Sequence, residues 1–237
     1  MSEQRVLVIA AVLATAAALL IAAGCTGPPV PLIPSRTSVQ QGGAAQLPGA
    51  EIRQYEGADL SSVADFRENS IAGPQHVNIT DYRLTVAGLV AAPQVYTYDD
   101  LLARYPRYTK VVTLFCVEGW DATILWEGIR VKEIVAAAGP DPAATTVIFR
   151  AADGYSTSLP LDYIVERDIL MAYRMNNITL PAERGYPFQL VAEDKWGYKW
   201  IKWITAIELT GNANYRGYWE QRGYSNTADL TKNFFKD

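Results

Sequence analysis

Residues 113–128 read Thr-Leu-Phe-Cys-Val-Glu-Gly-Trp-Asp-Ala-Thr-Ile-Leu-Trp-Glu-Gly. The apolar run Val111 to Phe115 has the composition of a strand, and Cys116 stands at its end, directly before the polar turn Glu118-Gly119-Trp120-Asp121. A side chain at a strand end is presented in a fixed direction. A thiolate held there suits a soft metal centre, because thiolates are the soft ligands of the protein repertoire and shed their proton when a metal takes the sulfur. A cysteine that closes a core strand is equally an apolar filler. On its own, the stretch leaves both readings open.

The chain has 237 residues, two cysteines (Cys25 and Cys116) and one histidine, His76. That count weighs against multi-cysteine zinc sites, iron–sulfur clusters and histidine-based triads, so any metal chemistry rests on few protein ligands. With 49% apolar and 19% charged residues the chain is expected to fold. A formal net charge of -4 provides no footprint for a nucleic-acid partner. His76, in Gln75-His76-Val77, is expected on the surface with no catalytic role.

Residues 6–23 carry no charge, follow Arg5 and end in Gly24-Cys25, the layout of an export signal with a small-residue processing site. Ala22-Ala23-Gly24-Cys25 resembles a lipoprotein processing box, which implies lipidation at Cys25. The competing reading is a retained membrane helix, since 18 apolar residues reach the lower limit for crossing the hydrocarbon core. Either way the rest of the chain is tethered at the extracytoplasmic face of the cell membrane. From Thr26 to Ala50 there are five prolines and four glycines, the composition of a solvated tether. The expected organisation is therefore an export segment (1–24), a Pro/Gly-rich tether (25–50) and one folded domain (51–237). If Cys25 takes lipid, Cys116 has no cysteine left to pair with.

Strand signals fall at Tyr82 to Ala87, Val111 to Phe115, Val147 to Phe149, Phe188 to Ala192 and Ile201 to Leu209, the last alternating through Ile201, Trp203, Thr205, Ile207 and Leu209. Helices are expected over Tyr98 to Arg104 after Thr97, over Val131 to Ala138, and over Leu161 to Glu166. The second carries an i, i+3, i+4, i+7 apolar stripe closed by Gly139-Pro140. Strands and short helices without regular βαβ alternation predict an α+β domain with mixed β-sheets.

Several separate stretches then converge. Cys116-Val117-Glu118-Gly119-Trp120 and Trp126-Glu127-Gly128-Ile129 are followed by Asp153-Gly154-Tyr155, Ser158-Leu159-Pro160 and Leu170-Met171-Ala172-Tyr173-Arg174-Met175-Asn176-Asn177. Further on stand Gly185-Tyr186-Pro187-Phe188-Gln189-Leu190-Val191 and Gly197-Tyr198-Lys199-Trp200-Ile201-Lys202-Trp203. In this order, over about residues 66–224, the chain resembles the molybdopterin-binding oxidoreductase domain shared by sulfite oxidases and the periplasmic methionine sulfoxide reductase catalytic subunit. The resemblance implies a sulfite-oxidase-type molybdopterin-binding fold and a molybdenum-molybdopterin cofactor, with Cys116 as the one protein ligand to molybdenum. It implies further cofactor contacts at Asn69, Ala72, Gly73, Arg184, Gln189, Lys199, Trp200, Ile201 and Lys202, and a catalytic phenol at Tyr155 directed at the metal-bound or substrate oxygen. The pterin ends in a phosphate, and the cations Arg184, Lys195, Lys199 and Lys202 form a plausible cradle for it. If residues 199–203 are extended, Lys202 reaches the ligand from one face while Trp203 packs from the other.

Two positions depart from the family pattern: Arg184 stands where a histidine or asparagine precedes G-x-P, and Gln189 replaces the arginine of R-L-V. Where sulfite oxidases follow the cysteine with anion-binding arginines, this chain has Trp120 and Asp121. The expected reaction is therefore two-electron oxygen-atom transfer on a sulfoxide- or N-oxide-type substrate rather than on sulfite, with Glu118 and Asp121 as candidate proton relays. The partners implied are a small-molecule oxo donor or acceptor and an external electron carrier, either a cytochrome or a quinone-linked membrane protein. The alternative is an accessory lipoprotein of the same fold that binds cofactor or anion without turnover.

Overall fold

The computed structural model describes residues 49–235; Cys25, the export segment and most of the expected tether lie outside them. A short ribbon of β1 (Gln54–Tyr55) and β2 (Ala58–Asp59) precedes two five-stranded sheets. One sheet runs β4 (Gln94–Tyr96), β3 (Leu84–Gly88), β12 (Ile204–Thr210), β7 (Thr146–Ala151) and β8 (Ser156–Pro160). The other runs β10 (Ile178–Thr179), β9 (Leu170–Met175), β6 (Asp121–Arg130) and β5 (Tyr108–Phe115), with β11 (Gln189–Val191) also paired to β9. The first sheet is mixed, because β12 lies parallel to β3 and antiparallel to β7, whereas the second is antiparallel throughout. With only short helices beside these sheets, the fold is α+β with one mixed sheet, as the strand and helix signals predict.

The three expected helices form: α1 (Tyr98–Arg104), α2 (Val131–Ala138) and α3 (Leu161–Glu166). Thr97 caps α1 in a full capping box with Asp100, which satisfies two otherwise orphaned N–H groups. The stripe Val131, Ile134, Val135 and Ala138 is the buried face of α2, which stops at Gly139 in the left-handed region. The strand expected over 201–209 begins only at Ile204. Trp203 takes a φ of 56°, and the register against β7 shifts between Ile204 and Ala206, so the alternation read from the sequence crosses a break in the backbone. Residues 199–203 are not extended either, since Gly197–Lys199 forms a 3-10 turn.

Strand β6, which carried no separate strand signal, is central to its sheet and buries Trp126 completely; the indole donates to the Val112 carbonyl at 3.1 Å. At the register shift between Glu127 and Gly128 the neighbouring strand closes in, and a Cβ on Gly128 would stand 2.6 Å from Ala172 Cα and nearer still to the Met171 carbonyl oxygen. Gly128→Ala is therefore expected to destabilise the domain by roughly 1–3 kcal/mol through backbone displacement. Urea denaturation should show a lower midpoint with an unchanged slope.

Candidate active site

The β5–β6 hairpin presents Cys116. Its N–H donates to the Trp120 carbonyl at 2.9 Å and the Gly119 N–H donates to the Cys116 carbonyl at 3.1 Å, closing a turn that needs Gly119 at a φ of 84°. The thiol stands on the wall of a cavity of about 400 Å³ and is 9% exposed. Asn69 Nδ2 donates to Sγ at 3.5 Å, and the backbone N–H groups of Glu118 and Val117 act on the sulfur electrostatically. Burial pushes the thiol above its ordinary pKa and the Glu118 carboxylate adds to the rise, while the three N–H donors pull it down. Donors gathered around a sulfur favour its charged form.

The turn Gly197–Lys199 lies directly over this hairpin. Phe115 and Trp196 form a parallel bridge, and a Cβ on Gly197 would come within 3.1 Å of the Phe115 carbonyl oxygen. The glycine is what allows the close approach. Tyr155 lines the cavity, but its hydroxyl donates to the Tyr198 carbonyl at 2.5 Å, so its one proton is committed to the protein. Burial, then the Glu220 carboxylate, holds this phenol well above its ordinary range.

The expected cations divide. Lys199 does not line the cavity; it is fully buried, with Nζ 2.6 Å from Glu220 Oε1 and 3.0 Å from the Ser158 carbonyl. Arg184 lines the cavity, yet its guanidinium donates to the carbonyls of Val63 (3.1 Å), Arg67 (3.2 Å) and Phe66, and covers the Phe66 ring at 4.1 Å. Lys195 is absent from the wall and covers Tyr163. Lys202 does reach the cavity, its Nζ 2.5 Å from Glu68 Oε1, and Trp200 and Ile201 line the wall beside it. Gln189 also lines it, with a buried Oε1 that has no hydrogen-bond partner, as has Ser70 Oγ nearby. Of the segment before β3, Asn69 is on the wall; Ala72, Gly73 and the exposed His76 are not.

Sequence reasoning missed Glu68, Trp219, Glu220 and Tyr224. Glu68 had a signal of sorts, as the immediate neighbour of Asn69; nothing local marks the other three, which reach the site through the fold. Glu220→Ala would leave the Lys199 ammonium buried without its carboxylate, at an expected cost of about 3–5 kcal/mol. Combining Lys199→Met with Glu220→Leu should recover most of that loss in urea denaturation. A single-variant cost below about 1 kcal/mol would rule out a buried-charge role. For the thiol, alkylation of cofactor-free protein should have its pH midpoint above the ~8.5 of free cysteine, because a raised pKa delays the reactive thiolate. Asn69→Ala removes a donor and should move that midpoint higher still.

Residues 71–219 match the family model described as the oxidoreductase molybdopterin binding domain. The oxidoreductase YuiH of Bacillus subtilis, itself uncharacterized, is 34% identical over 161 residues, 68% of this chain and 80% of the relative. The protein-methionine-sulfoxide reductase catalytic subunit MsrP of Ralstonia nicotianae is 29% identical over 143 residues, which cover 54% of this chain and 43% of MsrP. Among solved structures, the sulfane dehydrogenase SoxCD of Paracoccus pantotrophus superposes with a TM-score of 0.59 at 26% identity, over 65% of this chain and 43% of that one. The matched segment contains the hairpin, the 197–199 turn and most of the cavity wall, and on that ground the chain belongs to the oxidoreductase molybdopterin binding domain family.

Proposed function

We propose that the chain is a membrane-tethered, extracytoplasmic molybdenum oxidoreductase that transfers an oxygen atom, acting on a sulfoxide or N-oxide in preference to sulfite. The observation that carries this reading is the Cys116 thiol, set on a cavity wall with the Asn69 amide donating to its sulfur. Among the described residues no group of three His, Cys, Asp or Glu side chains converges to hold a metal, which suits a cofactor that brings most of its own ligands.

The residues fit such a cofactor. Cys116 would bind molybdenum, Asn69 would stand beside that sulfur, and Lys202 would face the terminal phosphate. Gln189 Oε1 and Ser70 Oγ offer two buried acceptors to the N–H groups of a pterin. When bound, the cofactor supplies the two-electron redox couple and the site at which oxygen is passed. For a sulfoxide, R2SO, two protons and two electrons give R2S and water. The electrons come from an external carrier, a cytochrome or a quinone-linked protein, and Glu118 at the mouth is placed to hand on protons.

Sulfite would meet Trp120 and the carboxylate of Glu118 where a dianion needs cations, although Asp121 does not line the cavity, and an unpaired charge drawn from water is disfavoured. A second reading, cofactor binding without turnover, is favoured by Lys199 and Arg184 both being engaged within the protein. One experiment separates the two. The full chain from a cofactor-competent host should contain about one molybdenum per protein by elemental mass spectrometry and should reduce sulfoxides with a chemical electron donor. Cys116→Ser should lose both while keeping the native circular dichroism spectrum. Stoichiometric metal without turnover would favour the second reading, and metal retained in Cys116→Ser would overturn the ligand assignment.

A further inference from the structure

The charges on the cavity wall are unevenly matched. Lys202 is paired with Glu68, and Arg184 is engaged with backbone carbonyls. That leaves Glu118, Asp153 and Glu183 at least partly open to solvent on the wall, against the exposed Arg67 and the buried Arg184, whose carbonyl acceptors do not cancel its charge, a surplus of one negative charge. Aromatic faces stand with them. Trp120 Nε1 donates to Glu118 Oε2 at 3.3 Å, and its ring lies 5.9 Å from Phe66, so an indole and a carboxylate are held together beside the cysteine turn. Trp219 and Tyr224, 5.2 Å apart, add a second aromatic pair. An aromatic face and a carboxylate attract the same kind of group, an organic cation, one through the ring quadrupole and the other through charge. Gln189, a wall residue only 3% exposed, also carries a buried Oε1 without a hydrogen-bond partner.

We infer that the mouth of this cavity selects substrates by charge, preferring an organic oxo compound with a positive charge beside its reacting group over a neutral isostere, and disfavouring an anionic one. Glu118, Glu183 and Trp120 are the specificity-determining residues. The inference deepens the proposed function and rests on it for the reaction, though not for binding.

The test uses the full chain carrying its cofactor and three matched sulfoxides of methionine: the amino ester (cation), the N-acetyl amide (neutral) and the N-acetyl acid (anion). The kcat/KM values should fall in that order, with roughly tenfold or more between cation and anion at low ionic strength and a smaller gap at high salt. The readout is the cation-to-anion ratio, which a general loss of activity does not move. The Glu118→Gln/Glu183→Gln double variant should lower the ratio several-fold, and Trp120→Leu should lower kcat/KM for the cation most. Asp153 is left intact because its carboxylate accepts the Tyr155 N–H at 2.9 Å. In parallel, the three corresponding sulfones, which lack the reducible S=O of the sulfoxides, are titrated by quenching of tryptophan fluorescence. If no sulfoxide turns over but the sulfones bind with cation ahead of anion, the proposed reaction fails and the charge selection stands. A cation-to-anion binding ratio at or below one, a ratio that neither salt nor the double variant changes, or no sulfone binding at all would overturn the inference.

Discussion

Water is wholly excluded from the ion pair between Lys199 and Glu220, both of whose side chains are 0% exposed. Bringing two charges out of water costs several kcal/mol per ion, so such a pair persists only where further hydrogen bonds support it. Here Lys199 also donates to the Ser158 carbonyl, and Thr157 Oγ1 donates to Glu220 Oε1 at 2.5 Å. Three segments distant in sequence are thereby tied together: the strand β8, the 197–199 turn and the 3-10 turn Glu220–Arg222. The residue before each of the two charges faces the cavity, Tyr198 before Lys199 and Trp219 before Glu220. Part of the wall is thus placed by charges one residue behind it.

Arg184 does comparable work with different chemistry. Its planar guanidinium donates to carbonyls at Val63, Phe66 and Arg67, which fixes the segment that presents Glu68 and Asn69 to the cavity. A lysine could not reproduce this, because an ammonium lacks the fork of in-plane donors that serves several acceptors at once. The Phe66 ring lies against the guanidinium and is itself 5.9 Å from Trp120. One arginine therefore orders both a cavity-facing segment and an aromatic face of the mouth.

These two residues also mark where the sequence ceases to be legible. Helices α1 to α3 could be read because their determinants are local: the Thr97 cap, the stripe through Val131 and Ala138, and the glycine stop. Cys116 could be placed at a strand end by its neighbours alone. The cations could not be sorted, because a run of lysines and arginines shows charge but not partners. Glu220 lies 21 residues beyond Lys199, and the acceptors of Arg184 are backbone carbonyls more than 115 residues earlier, which have no residue signature. Trp203 misled for a similar reason. Its burial continues the apolar alternation of β12, but its left-handed backbone and its bond to the Ala182 carbonyl at 2.7 Å belong to the loop before the strand.

Sorting the cations by partner has a consequence for the field inside the cavity. Lys199 and Lys202 are each neutralised by a carboxylate within 2.6 Å, so little of their charge is felt at a distance. Arg184 differs, because its acceptors are dipoles rather than anions, and among the described residues no carboxylate lies within ion-pair distance of it. Burial lowers its pKa, yet a guanidinium remains protonated at any physiological pH. Its charge is therefore offset only at a distance, by the carboxylates of Glu183 and Glu68, and sits in surroundings that screen it weakly. An anionic cofactor gains from such a field without touching the arginine, whereas the exposed acids Glu118 and Glu183 bias the mouth toward the opposite sign. Under the proposed function, such a separation of signs between interior and mouth would let one cavity retain an anion while favouring entry of a cation.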